Sequence, residues 1–183
     1  MAPRFFVIAI LLSVAALVQA QSEKIGTLVD GDPSAIQSEG PRYRFRADFN
    51  CDGIPDIAIS CDRREFGKMG GSFGLYLGTR NGKWRYVGSF TAHPLAVNIK
   101  RRRDGEGILT VYLRSSGTAG GLEHYSVTAR GLKELPGKEI HPGDGGTDDG
   151  RAEYAKYFDD AVRLQPELSE TIHGKIQWTH YDR

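Results

Sequence analysis

The chain has 183 residues, and its 24 lysine and arginine residues exceed its 23 aspartate and glutamate residues by one, so the formal net charge is +1. This balance gives no electrostatic case for nucleic-acid binding, which relies on a surplus of basic residues. Hydrophobic residues make up 39% of the chain. That content supports a packed core and excludes a fully disordered protein.

The first 20 residues predict a secretory signal peptide. One cation, Arg4, precedes an apolar run from Phe5 to Val18, and the small residue Ala20 completes the expected cleavage site. The apolar run is shorter than the roughly 20 residues that a membrane-spanning helix needs, which argues against the alternative of an uncleaved anchor. We therefore expect a secreted or periplasmic protein with no membrane span in the mature chain.

The rest of the chain, residues 21–183, predicts a single domain of ordinary size. Residues 21–40 are polar and predict a loosely ordered lead. Most of the 23 glycines lie between short β-like runs, which is typical of a turn-rich β protein.

Alternating apolar and polar residues predict a strand at 43–48 and a second at 54–60. Asn81-Gly82 predicts a tight hairpin turn, because both residue types tolerate a positive φ. The remaining predicted strands and turns follow the same signals. The strands are 72–77, 83–90, 95–100, 107–114, 121–128 and 131–135, with further turns at 103–105 and 129–131.

The C-terminal part changes character. Apolar residues recur at near-helical spacing over Arg151–Leu164 and predict one amphipathic helix packed on the sheet. Thr147, Asp148 and Asp149 are suitable residues for its N-terminus, since acidic groups there complement the helix dipole. A short final strand is predicted at 171–178.

The loop between the first two predicted strands carries the strongest chemical signal. Its sequence, Asp-Phe-Asn-Cys-Asp-Gly-Ile-Pro-Asp, places side-chain oxygens at positions 1, 3, 5 and 9 and a glycine at position 6. Gly53 can adopt the positive φ of a sharp turn. Hard oxygen ligands arranged in this way suit Ca²⁺, which takes six to eight of them. The predicted side-chain ligands are Asp48, Asn50, Asp52 and Asp56.

An EF-hand does not explain this loop. The EF-hand has a glutamate at position 12 and flanking helices, whereas here position 12 is Ile59 and the flanks alternate like strands. The motif instead resembles FG-GAP/VCBS-type repeats, whose β-propeller blades carry a D-x-[DN]-x-D-G-x-x-D calcium loop between strands. The match continues through 71–78, which resembles the following blade strand. The resemblance implies that Ile54 adds a backbone carbonyl ligand.

A single copy of the loop occurs, whereas propellers usually repeat a unit of roughly 40–50 residues. We therefore expect a mainly β protein: a compact antiparallel β-meander with propeller-blade-like hairpins, one calcium loop and one C-terminal capping helix.

Two further features of the sequence, an acidic segment and a pair of cysteines, each allow two interpretations. The segment 143–150 supplies Asp144, Asp148 and Asp149 to a second calcium loop, or else serves as a flexible approach and cap for the helix. Cys51 and Cys61 form a disulfide in an oxidising compartment, or remain as two thiols because the intervening strand holds them too far apart.

No local catalytic or zinc motif appears. The histidines lack H-x-x-x-H spacing, and the serines lack a G-x-S-x-G elbow. The basic run 100–103 favours a solvated edge beside a turn over a site for an anionic polymer. The sequence thus predicts a non-enzymatic, exported calcium-binding protein that works by binding another protein. The alternatives are a periplasmic inhibitor or immunity protein against a cell-wall hydrolase and, as a weaker one, a hydrolytic enzyme.

Overall fold

The computed structural model describes residues 24–33, 40–102, 106–116, 119–142, 148–172 and 175–181. The predicted signal peptide and the turn at 103–105 lie outside these residues. The strands in chain order are β1 (Leu28–Val29), β2 (Tyr43–Ala47), β3 (Asp56–Ser60), β4 (Gly71–Gly78), β5 (Trp84–Ala92), β6 (Val97–Arg101), β7 (Gly107–Arg114), β8 (Gly120–Thr128), β9 (Gly131–Ile140), β10 (Glu167–Ile172) and β11 (Lys175–His180). One α-helix, α1 (Asp148–Phe158), precedes β10.

The strands form two antiparallel sheets. The first has the order β1-β5-β4-β3-β2-β10-β11, and the second has the order β6-β7-β8-β9. Strands β2 to β5, and again β6 to β9, pair in chain order, which is the predicted meander. The mainly β fold with antiparallel sheets and one helix is therefore confirmed.

The core lies between the sheets and follows from the period-2 alternation of each strand. Phe45, Phe73 and Leu75 of the first sheet and Leu109 and Val111 of the second are completely buried in one cluster. The ring of Phe73 stacks on Phe90 with centroids 5.5 Å apart. One face of each sheet is thus fixed in register, since a one-residue slip would turn these side chains to solvent.

The predicted hairpin at Asn81-Gly82 is present, with a turn that uses one positive φ. Gly82 has φ +77°, and its N–H donates to the Thr79 carbonyl at 3.0 Å. The Thr79 N–H donates to the Lys83 carbonyl at 3.0 Å, which makes a three-residue loop closed by the glycine.

The helix is shorter than predicted, and of the predicted apolar residues Tyr157 and Phe158 belong to its contact face. It ends at Phe158, not Leu164, because Asp159 turns the chain: its Oδ1 accepts from the Ala161 N–H at 2.8 Å. The contact face consists of aromatic side chains, while Ala152 and Ala155 are exposed. Aromatic rings bury more area than alanine methyl groups, so they decide which face docks. Tyr154, Tyr157 and Phe158 pack with Ala96, Tyr112, Leu122 and Ile140 of the second sheet and its approach.

Both ends of the described chain hold more strand than predicted. Instead of one final strand at 171–178, β10 and β11 pair with each other, and β10 continues the first sheet beside β2. Ser169 anchors this edge, since its Oγ accepts from the Arg42 N–H at 2.7 Å. The prediction of a loose lead is wrong for Leu28 and Val29, which pair with β5. Across the described residues, no helix has the length and apolar content needed to cross a bilayer.

Candidate metal centre

The predicted metal loop forms the connection between β2 and β3. Ala47 pairs with Asp56 at the end of the ladder, so residues 48–55 leave the first sheet and return to it directly opposite. Cys51 and Gly53 both have positive φ, at +56° and +86°. Two left-handed residues so close together fold the loop tightly back on itself.

Asp48, at position 1, is turned into the loop by the backbone. Its Oδ1 accepts from the Asp52 N–H at 2.9 Å, and its Oδ2 accepts from the Gly53 N–H at 2.8 Å. Hydrogen bonds of this kind hold the carboxylate in one orientation. Each oxygen keeps a further lone pair for another ligand.

Asn50 and Asp52, at positions 3 and 5, are joined to each other. The Asn50 Oδ1 accepts from the Asp52 N–H at 3.1 Å, and the Asn50 Nδ2 donates to Asp52 Oδ2 at 2.9 Å. Asp52 Oδ1 accepts from the Ile54 N–H at 2.8 Å. Asp52 itself is exposed, whereas Asn50 is buried. A cation held by both side chains would replace the contact of Asn50 Nδ2 with the carboxylate, because that amide hydrogen repels positive charge.

Asp56, at position 9, fastens the base of the loop. It is completely buried, and its Oδ2 accepts from the N–H groups of Phe49 at 2.7 Å and Asn50 at 3.3 Å. Its Oδ1 accepts from the Gly78 N–H at 2.9 Å. Burial raises the pKa of the Asp56 carboxyl to about 7, although the three N–H groups favour the charged form. A cation beside it would favour the charged form as well.

The loop is seated between the two sheets by glycines that sequence reasoning did not single out. A Cβ atom added at Gly78 would lie 2.2 Å from the Pro55 carbonyl oxygen. A Cβ atom added at Gly107, the first residue of β7, would lie 1.7 Å from the Phe49 carbonyl oxygen. Both distances are far below contact, so each position requires glycine. Glycine at a strand end is a weak sequence signal, and only the packing reveals its purpose.

The structure therefore brings the four predicted side chains into one hydrogen-bonded loop. Their donor types fit a hard cation: three carboxylates and one amide, with the Ile54 carbonyl nearby in the chain. Within the described ranges, no group of three or more His, Cys, Asp or Glu side chains already converges as a cage. Each carboxylate already accepts hydrogen bonds from backbone N–H groups of the loop, and the Asp56 carboxylate is directed to the base of the loop. Calcium binding remains a prediction.

The structure bears differently on the cysteine pair and on the second predicted calcium loop. Cys51 and Cys61 are both free thiols, Cys51 buried and Cys61 half-buried. Cys51 lies in the loop that precedes β3, and Cys61 directly follows that strand, so the whole of β3 stands between them. Burial raises the pKa of the Cys51 thiol, and nearby Asp48 adds to the effect. The second predicted ion site is incompletely visible, because Asp144 lies outside the described residues while Asp148 and Asp149 occupy the first turn of α1.

No protein-family model, no curated protein and no solved structure matches the chain. The resemblance to FG-GAP/VCBS repeats rests on the loop and its flanking strands alone.

Proposed function

We propose that the chain is an exported calcium-binding β protein without enzymatic activity. The ion stabilises the β2–β3 hairpin and, through it, a surface that binds another protein. The observation that carries the proposal is the arrangement of the loop: backbone N–H groups turn the Asp48 carboxylate inward beside the linked side chains of Asn50 and Asp52.

The bound ion would offset the mutual repulsion of Asp48, Asp52 and Asp56. Asp48 and Asp52 lie close to Asp56, whose raised pKa of about 7 leaves it partly ionised at neutral pH. The ion pairs found in the described residues involve other acidic side chains. Asp48, Asn50, Asp52 and Asp56 would supply the side-chain oxygens. Extracellular calcium modules typically have Kd values of about 10⁻⁴ to 10⁻³ M. We expect this loop to fall in that range.

Calcium-dependent unfolding tests the proposal. At 10 mM calcium, a Kd of about 10⁻⁴ to 10⁻³ M stabilises the folded protein by about 1.4 to 2.7 kcal/mol relative to chelator. Asp52→Ala should abolish this gain with little effect in chelator, because Asp52 is exposed and its bonds are local. Stability is measured by urea denaturation with 10 mM CaCl₂ or with EGTA.

Asp30→Ala is the matched control. Asp30 is a well-exposed aspartate that pairs with Lys83 at 3.1 Å, outside the loop. This variant should keep the full calcium response. A calcium response that survives in Asp52→Ala, or that is missing from the unaltered chain, contradicts the assignment.

A further inference from the structure

A groove runs along the outer face of the second sheet beside α1. Its volume is about 370 Å³, and it is open to solvent on one side. Its walls come from all four strands of the sheet, from the residue after β6 and from the helix. The lining residues are Lys100, Arg101, Arg102, Ile108, Thr110, His124, Leu135 and Tyr157.

The rim of the groove is cationic. Lys100, Arg101 and Arg102 are consecutive exposed residues at the end of β6. Arg102 is neutralised by Glu106, with 3.0 Å between Nη1 and Oε2. Lys100 and Arg101 form no ion pair with any residue in the described part of the chain. Lys100 lies opposite Ile108 and shares its face, whereas the next side chain, Arg101, alternates to the other face, where its charge acts on Cys51. The Lys100 ammonium group is therefore left to attract an anion at the groove.

The floor of the groove is uncharged and partly apolar. Thr110 Oγ1 and His124 Nδ1 lie 2.9 Å apart in a hydrogen bond. Burial lowers the pKa of His124, which keeps its ring neutral at pH 7. The ring centroids of His124 and Tyr157 lie 5.6 Å apart, and Ile108 and Leu135 complete the floor. An apolar side chain could bury its surface here.

We infer that this groove binds an acidic segment of a partner protein. A carboxylate of the segment pairs with Lys100, and a neighbouring apolar side chain packs on Ile108, Leu135 and Tyr157. The inference rests on the proposed function only in taking the partner to be a protein.

The shape of the groove favours a protein segment over a small ligand. Small-molecule sites bury 70–90% or more of their ligand, which a groove open along one side cannot do alone. A larger partner covers the open side with its own surface. Nucleic acid is disfavoured because the chain is nearly neutral overall and the cations form one short run.

The probe for the test is the acetylated and amidated pentapeptide Gly-Glu-Leu-Asp-Gly. It is added to the ¹⁵N-labelled protein in 150 mM NaCl and followed by amide chemical shifts. We expect shifts at Thr110, His124 and Tyr157. Replacing both acidic residues of the peptide by Gln and Asn should weaken binding about tenfold. Replacing its Leu by Gly should weaken binding several-fold, because the open groove buries only part of the leucine side chain.

Variants of the protein localise the binding. Lys100→Glu should weaken binding of the acidic peptide about tenfold, and the milder Lys100→Gln should weaken it less. Lys100 is exposed, so the fold should persist in both variants. Lys175→Glu in β11 of the other sheet is the matched control and should leave binding unchanged, since Lys175 is also exposed.

The inference is overturned if the acidic peptide shifts no amide signals at the groove or if the neutral peptide binds equally well. It is also overturned if Lys175→Glu weakens binding as much as Lys100→Glu. A fourth contrary result is binding of the carboxylated polysaccharide hyaluronate through Lys100 while the acidic peptide fails to bind. Failure of the proposed function looks different. Calcium stabilisation without peptide binding removes only the groove inference, whereas peptide binding without calcium stabilisation removes only the metal site.

Discussion

Removing the Asp56 carboxylate should destabilise the protein more than any other single change in the loop. Asp56→Ala leaves the N–H groups of Phe49, Asn50 and Gly78 without their acceptor. An unsatisfied buried donor costs about 1–3 kcal/mol, so three of them should cost about 3–6 kcal/mol if water reaches one or more. Domains of this size are stable by about 5–15 kcal/mol, so the loss is a large fraction of the total.

The assay is urea denaturation in EGTA, where metal binding makes no contribution. The transition midpoint should fall sharply while the slope with urea stays constant, because the surface exposed on unfolding hardly changes. Asp56→Asn keeps one acceptor oxygen and should lose about half as much, which preserves the test if the alanine variant does not fold. A loss below about 1 kcal/mol for Asp56→Ala would refute the role of these hydrogen bonds in fastening the loop.

Three further changes test other parts of the structure. Gly107→Ala should lower the free energy of unfolding in urea by about 1–3 kcal/mol, because the new methyl group overlaps the Phe49 carbonyl. The control Gly121→Ala meets no atom within 4 Å and should cost less than about 1 kcal/mol. Equal losses in the two variants would contradict the close contact between the loop and β7. Phe158→Ala should cost about 3–5 kcal/mol by undocking α1, since Phe158 is only 4% exposed, and a neutral result would show that the helix does not pack there. Because burial lowers the pKa of His124, its contribution to stability is complete above pH 6.5 and declines as the pH falls through that value, by at most about 1.36 kcal/mol per pH unit. Urea unfolding of His124→Gln at pH 7.5 and 5.5 should show a smaller decline than the unaltered chain, and an identical decline would contradict this assignment.

The strands and hairpins were predictable because their signals are local. The alternation around Phe45, the glycine at position 82 and the acidic loop between two β-like runs each specify their structure within a few residues. Within each sheet, most strands that are consecutive in the chain pair with each other, because short connections keep them adjacent in space.

The errors concern features that depend on tertiary contacts. The end of α1 is set by Asp159, whose side chain competes with the helix for backbone N–H groups, and not by the apolar spacing that continues to Leu164. The joining of β10 to β2 depends on Ser169 and Arg42, which are 127 residues apart in the chain. Short segments such as Leu28–Val29 carry too little pattern to predict a strand.

The candidate site shows the same division. The loop residues were evident from the sequence, since their spacing is itself the signal. The supporting glycines, Gly78 and Gly107, and the groove beside α1 were not, because each is made by residues from different strands that meet only in the folded chain.

The close contact of the Phe49 carbonyl with Gly107 has a consequence for dynamics. At this contact Gly107 has no side chain that could rearrange and absorb a displacement. Local opening of the loop must therefore disturb the first residues of β7, where Gly107 pairs with Arg101 at the groove rim. Native-state hydrogen exchange should then report the loop and this corner of the second sheet as one cooperative unit, opening together although they belong to different sheets.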